Sequence, residues 1–79
     1  MTEQEKANRE LGRALRDLRF EAGITQEVVA YHAGYEQPHV SRVEYGLSPA
    51  NVQMLAGYAK ATRNAEKVLA LVQSTLQKK

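Results

Sequence analysis

The sequence predicts an all-α fold of five helices joined by short loops. Apolar residues recur at spacings of three and four in five successive stretches. Thr25, Asn51 and Asn64 stand where three of those stretches begin, and Gly23, Gly34, Gly46 or a polar break stands where they end. No stretch requires a strand, and there is no repeat or low-complexity tract.

The first helix begins between Thr2 and Lys6 and ends before Gly23. Leu11, Leu15 and Leu18 form its apolar stripe, extended by Ala7, Ala14 and Ala22, with Arg9, Arg13 and Arg16 opposite. Gly12 inside this helix costs about 1 kcal/mol relative to alanine, so it marks either a close helix crossing or tolerated slack. Gly23 suits the C′ position, and Ile24 turns back toward the core. Thr25 caps a second helix in which Val29, Ala30 and Ala33 face inward and Gly34 ends the element. Glu27 in its first turn suits the positive helix end. A helix this short does not survive alone in water, so it must be docked.

The third helix runs from about Gln37 to Tyr45, with Pro38 in its first turn, where a missing N–H leaves nothing unpaired. Val40 and Val43 form its buried side; Gln37, Pro38, Ser41 and Arg42 point outward. After the turn LSPAN, Asn51 caps a fourth helix over residues 52 to 61, with Val52, Leu55, Ala56 and Ala59 as its stripe. Asn64 caps a last helix over about 65–77, whose apolar face is Ala65, Val68, Leu69, Val72 and Leu76. Tyr31, Tyr35 and Tyr58 are expected to pack half-buried with wet hydroxyls. The second and third helices, residues 25–45, joined by a tight turn at Gly34, have the helix-turn-helix arrangement.

Composition narrows the function classes. Seventy-nine residues make one domain, spanning 1–79, that buries only about 60% of the surface its unfolded chain would expose. With no cysteine, two isolated histidines and few carboxylates, neither disulfides nor a metal site is expected, and no cofactor. No run of apolar residues reaches membrane-spanning length, and MTEQEKANRE lacks the features of a secretory signal, so a soluble cytoplasmic protein is expected. Net charge is +2; residues 1 to 46 carry six Arg or Lys against eight acids, residues 47 to 79 five against one. That balance permits nucleic-acid binding without arguing for it. No nucleophile, base and orienting acid stand at a catalytic spacing, and Gly34 and Pro38 separate His32 from His39, so no enzyme is expected.

The run GITQEVVAYHAGYEQPHVSRVEYG resembles the phage-repressor-like helix-turn-helix family, the Cro/C1 or xenobiotic-response-element type. Gly23, Thr25, Gln26, Ala30, Ala33, Gly34, Val40, Ser41, Arg42, Val43, Glu44 and Gly46 fall on the family positions without a gap. The register continues through Val52, Leu55, Ala59 and Ala61, and LGRALRDLRFEAG looks like the family's first helix. The resemblance covers residues 9 to about 62 and implies a compact lambda-repressor-like domain. Departures are Glu36 in place of the usual serine cap, His32 for a buried leucine, Tyr45 for a basic residue, the early Pro49, and TRNAEK before the last helix.

The resemblance implies that Gln37, Pro38 and Arg42 read bases, with Ser41 beside them. Arg42 could hold N7 and O6 of guanine with its planar fork, or pair with Glu44 or Glu36 on the surface. Gln37 could bond adenine at N6 and N7, or serve as an exposed first-turn residue. Pro38 could make only apolar contact, as with a thymine methyl, and Ser41 could reach a base or bond its own backbone. Gln26, at a helix start, would bond a phosphate or orient a neighbouring base-reading side chain. His39 would touch phosphate or stack on its neighbours, while Tyr45 and Ser48 would lie along the DNA backbone. Arg19 and Glu44 match an ion pair tying the first helix to the third.

One such domain reads few base pairs, so two copies about a two-fold axis are expected to read a palindrome. The last helix, through Val68, Leu69, Val72 and Leu76, is expected to serve partly as core and partly as the dimer surface, helped by Leu47 or Met54. The Lys78–Lys79 tail would add weak, salt-sensitive attraction to DNA. Together these features imply a homodimeric, sequence-specific transcriptional regulator, more specifically a repressor covering a palindromic operator. The competing expectation is an antitoxin-like or regulatory domain whose main partner is another protein.

Overall fold

The computed structural model describes the backbone of residues 2–77 and the side chains of residues 2–75. These residues form five α-helices and no strand: α1 (Glu3–Ala22), α2 (Gln26–Ala33), α3 (Gln37–Glu44), α4 (Val52–Thr62) and α5 (Ala65–Gln77). The all-α, lambda-repressor-like architecture expected from the sequence is present.

Local chemistry sets the helix starts. The Thr2 hydroxyl accepts from the Glu5 N–H while the Glu5 carboxylate accepts from the Thr2 N–H, a reciprocal capping box. The same Thr2 backbone and hydroxyl groups hold the Glu5 carboxyl below its ordinary range. Thr25, Asn51 and Asn64 accept from the N–H groups of Val28, Met54 and Lys67, at 3.3, 2.9 and 3.1 Å. Glu36 stands at the start of α3 and makes no side-chain cap bond, as its departure from serine suggested. The left-handed φ of 75° at Gly34 turns the chain from α2 into α3. Arg63 holds the same left-handed conformation at the end of α4, with φ 57°.

α2 packs chiefly against α4, and α1 lies against α3, α4 and α5. The core joins Leu15 and Leu18 of α1, Val29, Ala30 and Ala33 of α2, Val40 and Val43 of α3, Met54 and Tyr58 of α4, and Val68 of α5. Two glycines set how closely helices cross. A Cβ on Gly12 would stand 2.2 Å from the Val43 carbonyl oxygen, so α3 rests on the bare backbone of α1. A Cβ on Gly57 would stand 2.4 Å from that of Ala33, which brings α4 against α2. Gly12 is therefore a close crossing and not slack.

Several expectations about faces are corrected. Val52 is 82% exposed and Ala56 is exposed, because α4 turns Met54, Gly57 and Tyr58 inward, while Leu55 and Ala59 are only partly buried. Tyr58 is wholly buried, and Tyr31 is 83% exposed; only Tyr35 is half-buried. Ala22 is exposed at the end of α1. His32, standing where the family carries a buried leucine, is exposed, its ring edge-on to Tyr31. On α5, Val68 is buried, Val72 half-buried, and Ala65 and Leu69 are exposed. Met54 is buried in the core and cannot help form a dimer surface, whereas Leu47 is exposed. The Leu76 side chain and the Lys78–Lys79 tail lie outside the described residues. No helix among the described residues is long and apolar enough to cross a membrane.

Candidate nucleic-acid interface

The beginnings of α2 and α3 come together over a buried polar cluster. Glu44, on the last turn of α3, faces Arg19 of α1: Nε donates to Oε2 at 2.8 Å and Nη2 to Oε1 at 2.9 Å. The third guanidinium nitrogen, Nη1, donates to the Ile24 carbonyl at 3.1 Å, so Arg19 also ties down the chain between α1 and α2. The Tyr58 hydroxyl donates to Glu44 Oε2 from α4. Gln26 Nε2 donates to Glu44 Oε1 at 2.9 Å from the first turn of α2. Gln37 Nε2 then donates to Gln26 Oε1, linking the start of α3 to the same cluster.

One carboxylate thus joins four helices. A buried, ionised carboxylate survives only if its lone pairs are taken up, and those of Glu44 accept four hydrogen bonds. Burial pushes its pKa up, but donation from Arg19, Tyr58 and Gln26 together with the Arg19 charge outweighs burial and leaves it below the ordinary range. Hydrogen bonding to Glu44 is the main cause that raises the Arg19 pKa. Burial, then the neighbouring Glu44, pushes the Tyr58 hydroxyl far above its usual range. Glu44 is anionic and Tyr58 a neutral donor across ordinary pH. The guanidinium of Arg19 also lies over the Phe20 ring, 4.7 Å from its centroid.

The sequence-derived residues divide around this cluster. Arg42 is exposed, and no ion pair among the described residues engages it. Its proposed surface pairing with Glu44 is excluded, because Glu44 is turned inward onto Arg19, Gln26 and Tyr58. Pro38 is exposed, and Gln37 and Ser41 are half-buried. Gln26, expected to bond a phosphate or to orient a neighbouring side chain, is half-buried and bonds both Glu44 and Gln37. His39 stacks on Tyr35, with ring centroids 4.4 Å apart and planes 13° from parallel. Tyr45 is exposed, and Ser48 is half-buried in the turn before α4.

Sequence reasoning missed two connections. Tyr58, expected to be a packing residue with a wet hydroxyl, is the buried α4 donor to Glu44. Tyr35 is half-buried as expected, but its hydroxyl has a protein partner. Its hydroxyl accepts from Asn51 Nδ2 at 2.7 Å while Asn51 Oδ1 caps α4, so the α2–α3 turn is fastened to the start of α4. Gln53 adds a second tie, donating to the Ala33 carbonyl at 2.7 Å.

A family model described as a helix-turn-helix domain matches residues 10–70, spanning α1 to the middle of α5. No curated protein matches the chain. The match takes in the capped α2, the Gly34 turn, α3 and the polar cluster beneath them, and the chain belongs to the helix-turn-helix domain family, of the Cro/C1 type.

Proposed function

We propose that this protein is a sequence-specific DNA-binding transcriptional regulator, a homodimeric repressor that reads a palindromic operator through the major groove. The observation that carries the reading is the exposed Arg42, engaged by no ion pair among the described residues, on an α3 whose Gln37, His39 and Glu44 are tied into the domain. An arginine fork free of internal acids is available for guanine N7 and O6. Gln37, Pro38 and Ser41 share that base-facing role. Phosphate contacts fall to the α2 start around Gln26, whose backbone end presents N–H groups to an anion, and to His39, Tyr45 and Ser48.

Dimerisation rests on α5. Leu69 is 59% exposed on a helix that also carries the half-buried Val72, and an apolar ridge of this kind gains by being covered. A two-fold pair would place two α3 helices about 34–36 Å apart, one turn of DNA. The proposed location is the cytoplasm.

Selection of bound duplexes from a random pool at about 0.15 M salt tests the reading. An enriched inverted repeat with half-sites one turn apart is the expected result. Absence of enrichment with a folded protein would overturn it and favour a protein partner for the α5 ridge.

A further inference from the structure

The turn after α3 brings no positive charge to its end of the helix: residues 45–51, YGLSPAN, hold no lysine or arginine. Charge there comes from α1. The last turn of α3 rests on Gly12, with the Val43 and Glu44 carbonyls against its bare backbone. Arg9 and Arg16 stand one turn either side of Gly12, and Arg13 stands next to it, so all three flank the end of α3. Arg9 also abuts the turn, since a Cβ on Gly46 would stand 2.5 Å from Arg9 Cγ. Arg9 and Arg13 are exposed, and no ion pair among the described residues engages any of the three. Arg16 is half-buried beside the exposed Phe20, its guanidinium carbon 6.0 Å from the ring centroid. Its Nε is shut off from solvent and has no acceptor among the described residues. A buried N–H without a partner is unfavourable, and a phosphate held by Nε and Nη together would relieve it.

We propose that this edge of α1, Arg13 and Arg16 with Arg9 beside the turn, grips the phosphate backbone of the duplex whose bases α3 reads. This rests on the reading of α3 as the major-groove helix. The strand bordering the groove at the C-terminal end of α3 would pass an uncharged turn, and the arginines stand beside that turn. Arg9 and Arg16 lie about 10 Å apart along the helix, a span that one carboxylate cannot bridge and a run of phosphates can. Backbone contacts carry no sequence information. The edge therefore adds affinity and salt dependence and leaves base preference alone.

The test compares the full-length wild type with Arg13→Gln/Arg16→Gln and with Lys60→Gln/Lys67→Gln, an equal charge change at exposed positions of α4 and α5. Affinity for a duplex of arbitrary sequence and for the selected duplex is followed by fluorescence anisotropy from about 50 to 200 mM salt. Base preference is read by random-duplex selection. The arginine variant should flatten the slope of log affinity against log salt by about 1 per arginine on both duplexes, with the preferred sequence unchanged. The lysine variant should keep a slope close to that of the wild type. Should the double arginine variant fail to fold, Arg13→Gln at its exposed position carries the same readout, with a change of about 1. A wild-type slope in the arginine variant would overturn the inference. So would an equal change in the lysine variant, the mark of diffuse charge without contact, or a loss of preference at particular base pairs. A wild type that enriches no sequence, with a slope that still depends on the arginines, would overturn the base-reading assignment and leave the phosphate-gripping edge standing. A folded wild type that binds no duplex even at about 50 mM salt would overturn both and turn the edge toward an acidic protein.

Discussion

The helix-turn-helix pair and the last helix are held in opposite ways. α2 and α3 have eight residues each, too few to be helical alone, yet each is fixed from several sides. Gly12 seats α3 on α1, Gly57 seats α4 on α2, and Glu44 gathers donors from three other helices. α5 is longer, at 13 residues, and is anchored by Val68, the partly buried Leu71 and an exposed Lys67–Glu21 ion pair at 3.1 Å. Helix length and anchorage are thus unrelated here. The proposed groove reading needs the short pair to keep its angle, and the domain's buried polar groups and bare backbone contacts hold that angle. The last helix buries Val68 and leaves Leu69 uncovered.

The largest expected effect lies in the cluster. Glu44→Ala leaves Arg19 and Tyr58 buried without their acceptor and should cost about 3–5 kcal/mol in chemical denaturation. Replacing the set with Arg19→Met, Glu44→Leu and Tyr58→Phe together should cost markedly less, since no charge is then stranded. If the triple variant is no more stable than Glu44→Ala, the cluster does not act as a unit.

Next is Gly12→Ala. The new methyl meets backbone atoms of Val43 and Glu44, which cannot rotate away, so a loss of about 1–3 kcal/mol is expected despite alanine's better helix propensity. A neutral or stabilising result would mean that α1 and α3 separate readily.

Acid should expose the same cluster. The Glu44 pKa is lowered on folding, so its contribution is fully present above the ordinary carboxylate range and is lost as pH falls through the lowered folded value. Glu5, lowered by its capping box, adds a slope of the same sign. The melting temperature of the wild type should therefore drop below about pH 4, and that of the triple variant should drop less.

The smallest effects on stability belong to α5. Leu69→Glu should change monomer stability by no more than about 0.5 kcal/mol while abolishing dimers in sedimentation, and Lys67→Ala should also stay within about 0.5 kcal/mol. A Leu69→Glu variant that still sediments as a dimer would move the interface away from α5.

What could be read from the chain alone follows the range of the forces involved. Thr25, Asn51, Asn64 and Gly34 act within one turn of themselves, and each does what its neighbours in sequence implied. Arg19 with Glu44 is a long-range pair, legible because the resemblance brought it into view. The buried face of α4 was not legible. Val52 and Ala56 are as apolar as a core residue, and Gly57 and Tyr58 look less so. The helix rotates to bring a bare glycine against Ala33 and a hydroxyl against Glu44, partners that lie 24 and 14 residues away in sequence. Likewise Gln26 and Gln37 were each readable as polar first-turn residues, but their mutual bond depends on how α2 and α3 are angled.

In the proposed function, Arg42 at the exposed surface of α3 reads a base. The most direct measurement is the affinity of the wild type and of Arg42→Ala for the selected duplex and for the duplex with its contacted guanine replaced. The guanine change should weaken the wild type by about 1–3 kcal/mol and leave Arg42→Ala indifferent to that position. An Arg42→Ala protein that binds every duplex more weakly, yet still discriminates the guanine by the wild-type margin, would contradict it.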